Sequence, residues 1–170
     1  RSGVEVAFES MGGVDAARRV QLGEAFDVVA LAADALDKLI ATARVVAGSR
    51  TDLARSEVAV AVRAGAPTPD IASEDALRRA VLSARTIGYS TGPSGVALAA
   101  LFDRWGITDA VRERLVQAPS GVPVGQLVAS GEVELGFQQK SELIDVHGIA
   151  VLGTMPPGLE IVTTFSAGLC

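Results

Sequence analysis

Apolar residues along this chain switch repeatedly between the two-residue period of a β-strand and the 3.6-residue period of an amphipathic helix. The strand period predicts strands at residues 4–8, 26–31, 58–63, 86–89, 133–138, 149–152 and 160–165, and a short extended segment at 115–118. The helical period predicts helices at residues 14–22, 33–43, 73–84, 96–105, 121–128 and 140–144, and another that starts at residue 108. Strands that alternate with helices are typical of an α/β fold, so we expect mostly parallel sheets flanked by helices.

Two turns indicate where the chain passes between two lobes. Residues 64–70 are rich in proline and glycine, and residues 147–148 form a glycine turn. The long excursion between these turns predicts a second sheet. We expect lobe one to contain residues 1–63 and 148–170, and lobe two to contain residues 64–147. The predicted connections between the lobes are the strand 58–63 and the segment 146–149.

Two Gly/Ser loops each lie between a predicted strand and a predicted helix. They are residues 10–13, with the sequence SMGG, and residues 90–95, with the sequence STGPSG. The first turn of a helix has free backbone N–H groups and the positive end of the helix dipole, and glycine lets a ligand approach that backbone. Each loop is therefore a candidate cradle for an anion. Ordinary strand-to-helix turns use the same residue types, so the loops alone leave both interpretations open.

Charge and hydropathy limit the possible partners. The 170 residues include 15 Lys and Arg against 20 Asp and Glu, which gives a formal net charge of −5. This balance argues against a nucleic-acid surface, so a bound anion must be held by local dipoles. No apolar run approaches the roughly 20 residues of a membrane span, so we expect no direct membrane insertion. The first residues do not have the pattern of a secretory signal peptide.

Residues that usually carry metal or covalent chemistry are scarce. Cys170 is the only cysteine and His147 the only histidine, so the sequence predicts no disulfide, zinc site or Ser-His-Asp triad. The Gly-rich fingerprints of nucleotide-binding loops are also missing. Uncharged donors at helix starts suit binding better than bond breaking. We therefore predict no catalytic residue, metal or cofactor, and favour a binding protein over an enzyme.

Four segments carry a resemblance to one known family. They are residues 10–23 (SMGGVDAARRVQLG), 26–39 (FDVVALAADALDKL), 93–106, in which a Pro-Ser-Gly loop leads into a helix that ends in Trp-Gly, and 131–139 (GEVELGFQQ). In their order and spacing these segments resemble the molybdate-binding proteins of ABC transporters, a branch of the type II periplasmic binding proteins. The resemblance covers essentially the whole chain.

The resemblance implies a two-lobed type II fold that captures a solute between its lobes by hinge closure and delivers it to an ABC transporter permease. It implies a periplasmic location, and relatives without a signal peptide leave a cytoplasmic one open. Members of the family have a strand and a helix before the position of Arg1 and helices after the position of Cys170. The resemblance therefore implies a chain that is truncated at both ends.

The binding site is expected between the lobes, because ligands of open α/β sheets lie beyond the carboxyl ends of the strands. The predicted ligand-binding residues are Ser10, Gly12 and Gly13 from one side, and Ser94, Gly95, Val122 and Gln139 from the other. Ser94 replaces an alanine of the resembled family, and Gln139 replaces a tyrosine. An amide can both donate and accept hydrogen bonds. The ligand is therefore either molybdate or tungstate, which only accept hydrogen bonds, or another small anion such as a carboxylate.

Two further functions are open on the same scaffold. Relatives of the resembled family include an isomerase of unsaturated tricarboxylic acids, which would need an acid or base in the cleft. The effector-binding domains of LysR-type regulators share the fold and follow a DNA-binding helix-turn-helix. The sequence upstream of Arg1 would separate the three classes, because it would contain a signal peptide, a helix-turn-helix or neither.

Overall fold

The computed structural model describes residues 3–170, which form seven helices and seven strands. The helices are α1 Gly13–Gln21, α2 Ala33–Ala41, α3 Glu74–Ser83, α4 Pro93–Arg104, α5 Thr108–Val111, α6 Val124–Ser130 and α7 Lys140–Leu143, with a 3-10 turn at Arg112–Arg114 after α5. The strands are β1 Val28–Ala32, β2 Thr51–Arg63, β3 Ile87–Tyr89, β4 Leu115–Gln117, β5 Leu135–Gln139, β6 Ile149–Thr154 and β7 Val162–Leu169.

One long strand, β2, belongs to two sheets. Its residues 51–57 pair with β7, which pairs in turn with β1, and we call this group sheet A. Its residues 58–63 pair with β5 and β6, and β5 continues through β3 to β4, and we call this group sheet B. The backbone of β2 therefore joins the two sheets directly.

The two sheets are mixed in direction. β3 is parallel to β4 and β5, whereas β2 is antiparallel to β5, β6 and β7, and β1 is antiparallel to β7. The α/β class with flanking helices agrees with the sequence, but the prediction of mostly parallel sheets was wrong for sheet A. Strand and helix periods report which elements form, and they contain no information on the direction in which two distant strands pair.

The predicted strand at residues 4–8 is not formed. Residues 3–12 have no regular secondary structure, and the side chains of Val6 and Phe8 are 62% and 92% exposed. Alternating apolar residues predict a strand, but a strand also needs a neighbouring strand, which the local pattern does not report. The loop that follows does open a helix as predicted, because α1 begins at Gly13.

The division into lobes remains a prediction, and the strand pairing moves its boundaries. Residues 58–63 and 149–154, predicted in lobe one, pair with each other in sheet B. The chain instead changes sheet within β2, after residue 57, and again between β6 and β7. The predicted connection at 146–149 leads from α7 into β6 and stays within sheet B. A turn signal marks the end of a strand, but it does not tell which sheet the strand joins.

Each sheet has its own hydrophobic core. The core on sheet A is formed by residues of α1, β1, α2 and the segment after α2: Val20, Val29, Leu31, Leu36, Leu39 and Val45. The larger core on sheet B includes Val60 from β2, Leu77 from α3, Leu98 and Phe102 from α4, and Phe137 from β5. Separate cores joined by β2 give the molecule two packed units, with the helix starts between them.

The loop between β3 and α4 requires glycine at position 95. A Cβ atom on Gly95 would lie 1.8 Å from the carbonyl oxygen of Ser90, and this backbone atom cannot move without moving the loop. At Gly13, which also lies in the first turn of a helix, the nearest atom to an added Cβ would be Leu31 Cδ2 at 4.0 Å. The glycine at 95 is therefore explained by packing.

We predict that Gly95→Ala lowers the free energy of unfolding by about 1–3 kcal/mol, because the added methyl group overpacks the loop. Gly13→Ala is the matched control and should leave stability unchanged or raise it by up to about 1 kcal/mol, since alanine is the better helix former. Urea denaturation of both variants measures the difference. Equal effects of the two substitutions would contradict the packing argument.

Candidate functional site

A cleft of about 1050 Å³ lies between the helices on sheet A and the loops of sheet B. Its walls come from the start of α1 and the exposed side of α2 on one side, and from the loops after β3, β4 and β5 on the other. Ala32, Tyr89, Gln117 and Gln139 end the strands β1, β3, β4 and β5, and helices α2, α4, α6 and α7 follow these strands. The cleft is therefore at the carboxyl ends of the strands, where open α/β sheets bind ligands.

Three helices of nine or more residues begin at this cleft. They are α1, α2 and α4, whose N-cap residues Gly12, Ala32 and Gly92 all line the cleft. In the described chain none of these three N-caps makes a side-chain capping hydrogen bond. The first N–H groups of the helices and the positive ends of their dipoles are consequently available to a negatively charged group.

Five of the seven predicted site residues line the cleft: Ser10, Gly12, Gly13, Val122 and Gln139. The other two, Ser94 and Gly95, are buried beneath its surface in the first turn of α4. The Ser94 hydroxyl lies 3.0 Å from the hydroxyl of Ser90, which does line the cleft. Ser94 thus orients Ser90, and contact of any of these residues with a ligand remains a prediction.

Gln139 has the most unusual polar environment in the cleft. Its side chain is only 4% exposed, its Nε2 donates to Thr163 Oγ1 at 2.5 Å, and in the described structure its buried Oε1 has no hydrogen-bond partner. A 180° rotation of the amide would exchange the two atoms, and the Thr163 hydroxyl would then donate to Oε1. Gln139 can therefore present either an acceptor or a donor to a ligand.

Four charged side chains line the cleft, and none was predicted from the sequence as a site residue. Arg18 lies on α1, Asp34 and Lys38 lie on α2, and Glu142 lies on α7. In the sequence, Arg18 belongs to an Arg-Arg pair that fits a solvated helix face equally well. The spacing of Asp34 and Lys38 puts them on one side of α2, but the helical period alone does not tell which surface that side meets.

Glu142 is held in place by a second glutamine. Gln138 is 3% exposed, its Oε1 accepts a hydrogen bond from the Gly125 N–H at 3.2 Å, and its Nε2 donates to Glu142 Oε2. The Glu142 side chain has access to the cleft, but the surrounding protein partly desolvates its carboxylate. This desolvation raises the pKa of Glu142, and the hydrogen bond from Gln138 offsets only part of the change.

The two sides of the cleft touch where the loop before α6 meets the start of α1, and we call this contact the mouth of the cleft. The Ser120 hydroxyl, in the loop before α6, donates to Asp15 Oδ2 in the first turn of α1 at 2.5 Å. Beside this bond, a Cβ atom on Gly12 would lie 3.2 Å from the Gly121 nitrogen. The glycine at 12 therefore allows the two loops to approach each other closely.

Residues 3–170 contain no group of three or more His, Cys, Asp or Glu side chains arranged to hold a metal ion. Within the same residues, none of the helices combines the length and the hydropathy needed to cross a membrane.

Comparison with known proteins gives one family. Residues 1–170 match the family model described as bacterial extracellular solute-binding protein. A Pseudomonas protein named aconitate isomerase is 40% identical to this chain over 166 residues, which cover 96% of this chain and 63% of that protein. The chain thus spans less than two thirds of the length of this relative.

Solved structures agree on the fold. The periplasmic molybdate-binding protein of Azotobacter vinelandii superposes with a TM-score of 0.75 at 23% identity, covering 99% of this chain and 74% of that one. The tungstate-binding protein TupA of Desulfovibrio alaskensis superposes with a TM-score of 0.65 at 15% identity, covering 99% and 70%. The resemblance identified in the sequence is confirmed, and the chain belongs to the bacterial extracellular solute-binding protein family, with the α/β fold of the molybdate- and tungstate-binding proteins.

Proposed function

We propose that the cleft binds a small polycarboxylate of the aconitate class, and that the whole protein isomerises this ligand. The observation that carries the proposal is the cleft itself, in which three helix starts and the side chains of Arg18 and Lys38 surround a volume of about 1050 Å³. The Pseudomonas protein that is 40% identical to this chain is named aconitate isomerase, and this name supports the same ligand class. Dipoles and two cations give separate places for several carboxylates.

Cleft size and chemistry favour an organic acid over a bare oxyanion. Small-molecule sites of about 300–1000 Å³ enclose ligands much larger than a tetrahedral oxyanion. Val14, Val96 and Phe165 give the cleft apolar walls, which suit a carbon skeleton.

Capture of molybdate or tungstate for uptake is the second candidate. The helix starts that line the cleft favour it, since backbone N–H groups hold oxyanions without cationic side chains. In that case we propose a periplasmic protein that closes around the ion and delivers it to an ABC transporter permease. Titration with both ligand classes separates the two candidates.

We predict that isothermal titration calorimetry of the whole protein detects trans- or cis-aconitate at micromolar concentrations and detects no binding of molybdate or sulfate there. Arg18→Ala and Lys38→Ala should each weaken the binding of aconitate about tenfold or more, because each removes a charge that faces the ligand, worth roughly 1.5–3 kcal/mol.

Arg79→Ala is the matched control for both variants. Arg79 is an exposed arginine on α3, and it is not among the residues that line the cleft. This variant should bind aconitate like the parent. Tight binding of molybdate with no response to aconitate would reverse the order of the two candidates.

Contact across the mouth should favour the closed, ligand-bound form. We predict that Ser120→Ala, which removes the hydrogen bond to Asp15, weakens aconitate binding by up to about tenfold without changing the free energy of unfolding by more than about 0.5 kcal/mol. Calorimetry and urea denaturation measure the two quantities. Ser83→Ala, at the exposed end of α3 and outside the cleft, is the control. Unchanged affinity would show that the bond does not contribute to closure.

Binding of a polyanion should be accompanied by uptake of a proton at Glu142. The pKa of this carboxyl group is already raised, and a bound anion raises it further because two negative charges repel. Well below the pKa of the free protein the group is protonated with or without ligand, so uptake should be small there. Uptake should grow as the pH rises through the pKa of the free protein and disappear above the pKa of the complex.

Calorimetry in two buffers of different ionisation enthalpy measures the number of protons taken up. Glu142→Gln is the matched variant, since it retains the titration of the ligand and removes that of the protein. Equal proton uptake by parent and variant between pH 5 and 8 would contradict the assignment to Glu142.

A further inference from the structure

The carboxylate of Glu142 occupies a distinctive position among the charged groups of the cleft. Strand β5 ends at Gln139 and α7 begins at the next residue, so Gln138, Gln139 and Glu142 all reach the cleft from one turn of the chain. Arg18, Asp34 and Lys38 lie on α1 and α2, across the cleft. A polycarboxylate bound to those cations and to the starts of α1 and α2 would therefore present its carbon skeleton toward Glu142.

The orientation of Glu142 is set by a short chain of hydrogen bonds. The Gly125 N–H can only donate, so the Gln138 oxygen must face it, and the Gln138 NH₂ group must then face Glu142. This bond uses Oε2, and in the described structure Oε1 makes no second hydrogen bond. One carboxylate oxygen is thus fixed while the other remains free to meet a ligand.

The surroundings also suit proton transfer. Desolvation by the protein raises the pKa of Glu142 while the carboxylate keeps access to the cleft. A general base works best when its pKa is close to the working pH, and carboxylates reach that range by partial desolvation.

We propose that Glu142 is the catalytic residue that moves the proton when this cleft isomerises an unsaturated tricarboxylate. The inference rests on the proposed function and adds the residue that performs the step. Gln138 is a positioning residue, because it acts through Glu142.

The reaction balances without a co-reactant. Above the pKa that Glu142 has in the complex, its ionised carboxylate removes a proton from the methylene carbon beside a carboxylate of the ligand, and the electrons of that C–H bond form a new double bond to the neighbouring carbon. The electrons of the old double bond shift to its far carbon, which takes a proton back from Glu142. One C–H bond breaks and one forms, and the double bond moves by one position. The helix starts stabilise the charge that builds up on the carboxylate during the step.

Proton NMR of the whole protein with trans-aconitate in D₂O provides the test, because deuterium enters the ligand when the base exchanges its proton with solvent. We expect Glu142→Gln to lower both isomerisation and deuterium incorporation by at least 100-fold, the usual contribution of a general base. Its affinity for aconitate should equal or exceed that of the parent, because the variant removes a negative charge. Asp145→Asn, an exposed carboxylate just beyond α7 and outside the cleft, should behave like the parent.

Glu142→Asp is the second variant and decides the question if Glu142→Gln does not fold. It retains a carboxylate that is one methylene shorter, so we expect a rate at least tenfold below that of the parent and a shifted acid limb in the pH–rate profile. A rate and a profile equal to those of the parent would overturn the proposal.

The outcomes separate this inference from the proposed function. A parent protein that does not bind aconitate would refute the proposed function. A parent that binds aconitate without exchange or isomerisation would refute the isomerase part of the proposed function, and the role of Glu142 with it, and would leave ligand binding in place. If the parent isomerises aconitate, and Glu142→Gln folds, binds and isomerises at a rate within threefold of the parent, only the role of Glu142 is refuted.

Discussion

The shared strand β2 is the constraint on which the rest of the structure depends. Its first half is paired in sheet A and its second half in sheet B, so both hydrophobic cores are attached to one continuous backbone. The bonds of a β-ladder resist sliding, because a shift by one residue would turn every side chain to the opposite face. The distance across the cleft is consequently set by the backbone pairing of β2. At the mouth, the two sides meet through the hydrogen bond between Ser120 and Asp15 and through the close approach of Gly12 and Gly121.

An acidic protein can bind an anion when the favourable field is local. The chain has a net charge of −5, and the cleft itself contains two carboxylates and two cations. The proposed attraction of an anion would therefore come from the three helix starts that converge there, whose dipoles act over the first turn only. A ligand with several carboxylates can interact with these separate positive groups at the same time. A uniformly basic surface would also attract such a ligand, but it would not fix the positions of its carboxylates.

The parts of the fold and site that follow from local rules could be predicted from the sequence. α1 and α2 form close to their predicted ranges, and Ser73 caps α3 by accepting a hydrogen bond from the Ala76 N–H at 3.2 Å. The Gly/Ser loop at 10–13 does line the cleft. These features depend on residues near each other in the chain.

The features that depend on distant residues could not be predicted in the same way. Nothing within residues 51–63 indicates that one strand serves two sheets, and the partners of β2 come more than 70 residues later. The orientation of Glu142 depends on Gln138 and Gly125 together, and a glutamate in a short helix has no local sequence feature that separates it from a solvated one. Ser94 was placed in the site by its loop, but the packing of Gly95 against Ser90 turns it inward.

The contact at the mouth affects how long a ligand would stay in the cleft as well as how tightly it would bind. With Gly12 beside Gly121 and Ser120 bonded to Asp15, a ligand in the cleft cannot leave along this side until the two loops separate. Under the proposed capture of a ligand, escape would be limited by how often the mouth opens, and the residence time of the ligand would follow the motion of the protein. A protein that carries its ligand to a transporter gains from rare opening, because the ligand stays bound until it is delivered. A catalyst gains from frequent opening, because each product must leave before the next substrate enters. A change in the strength of the Ser120–Asp15 hydrogen bond would therefore shift the balance between these two uses.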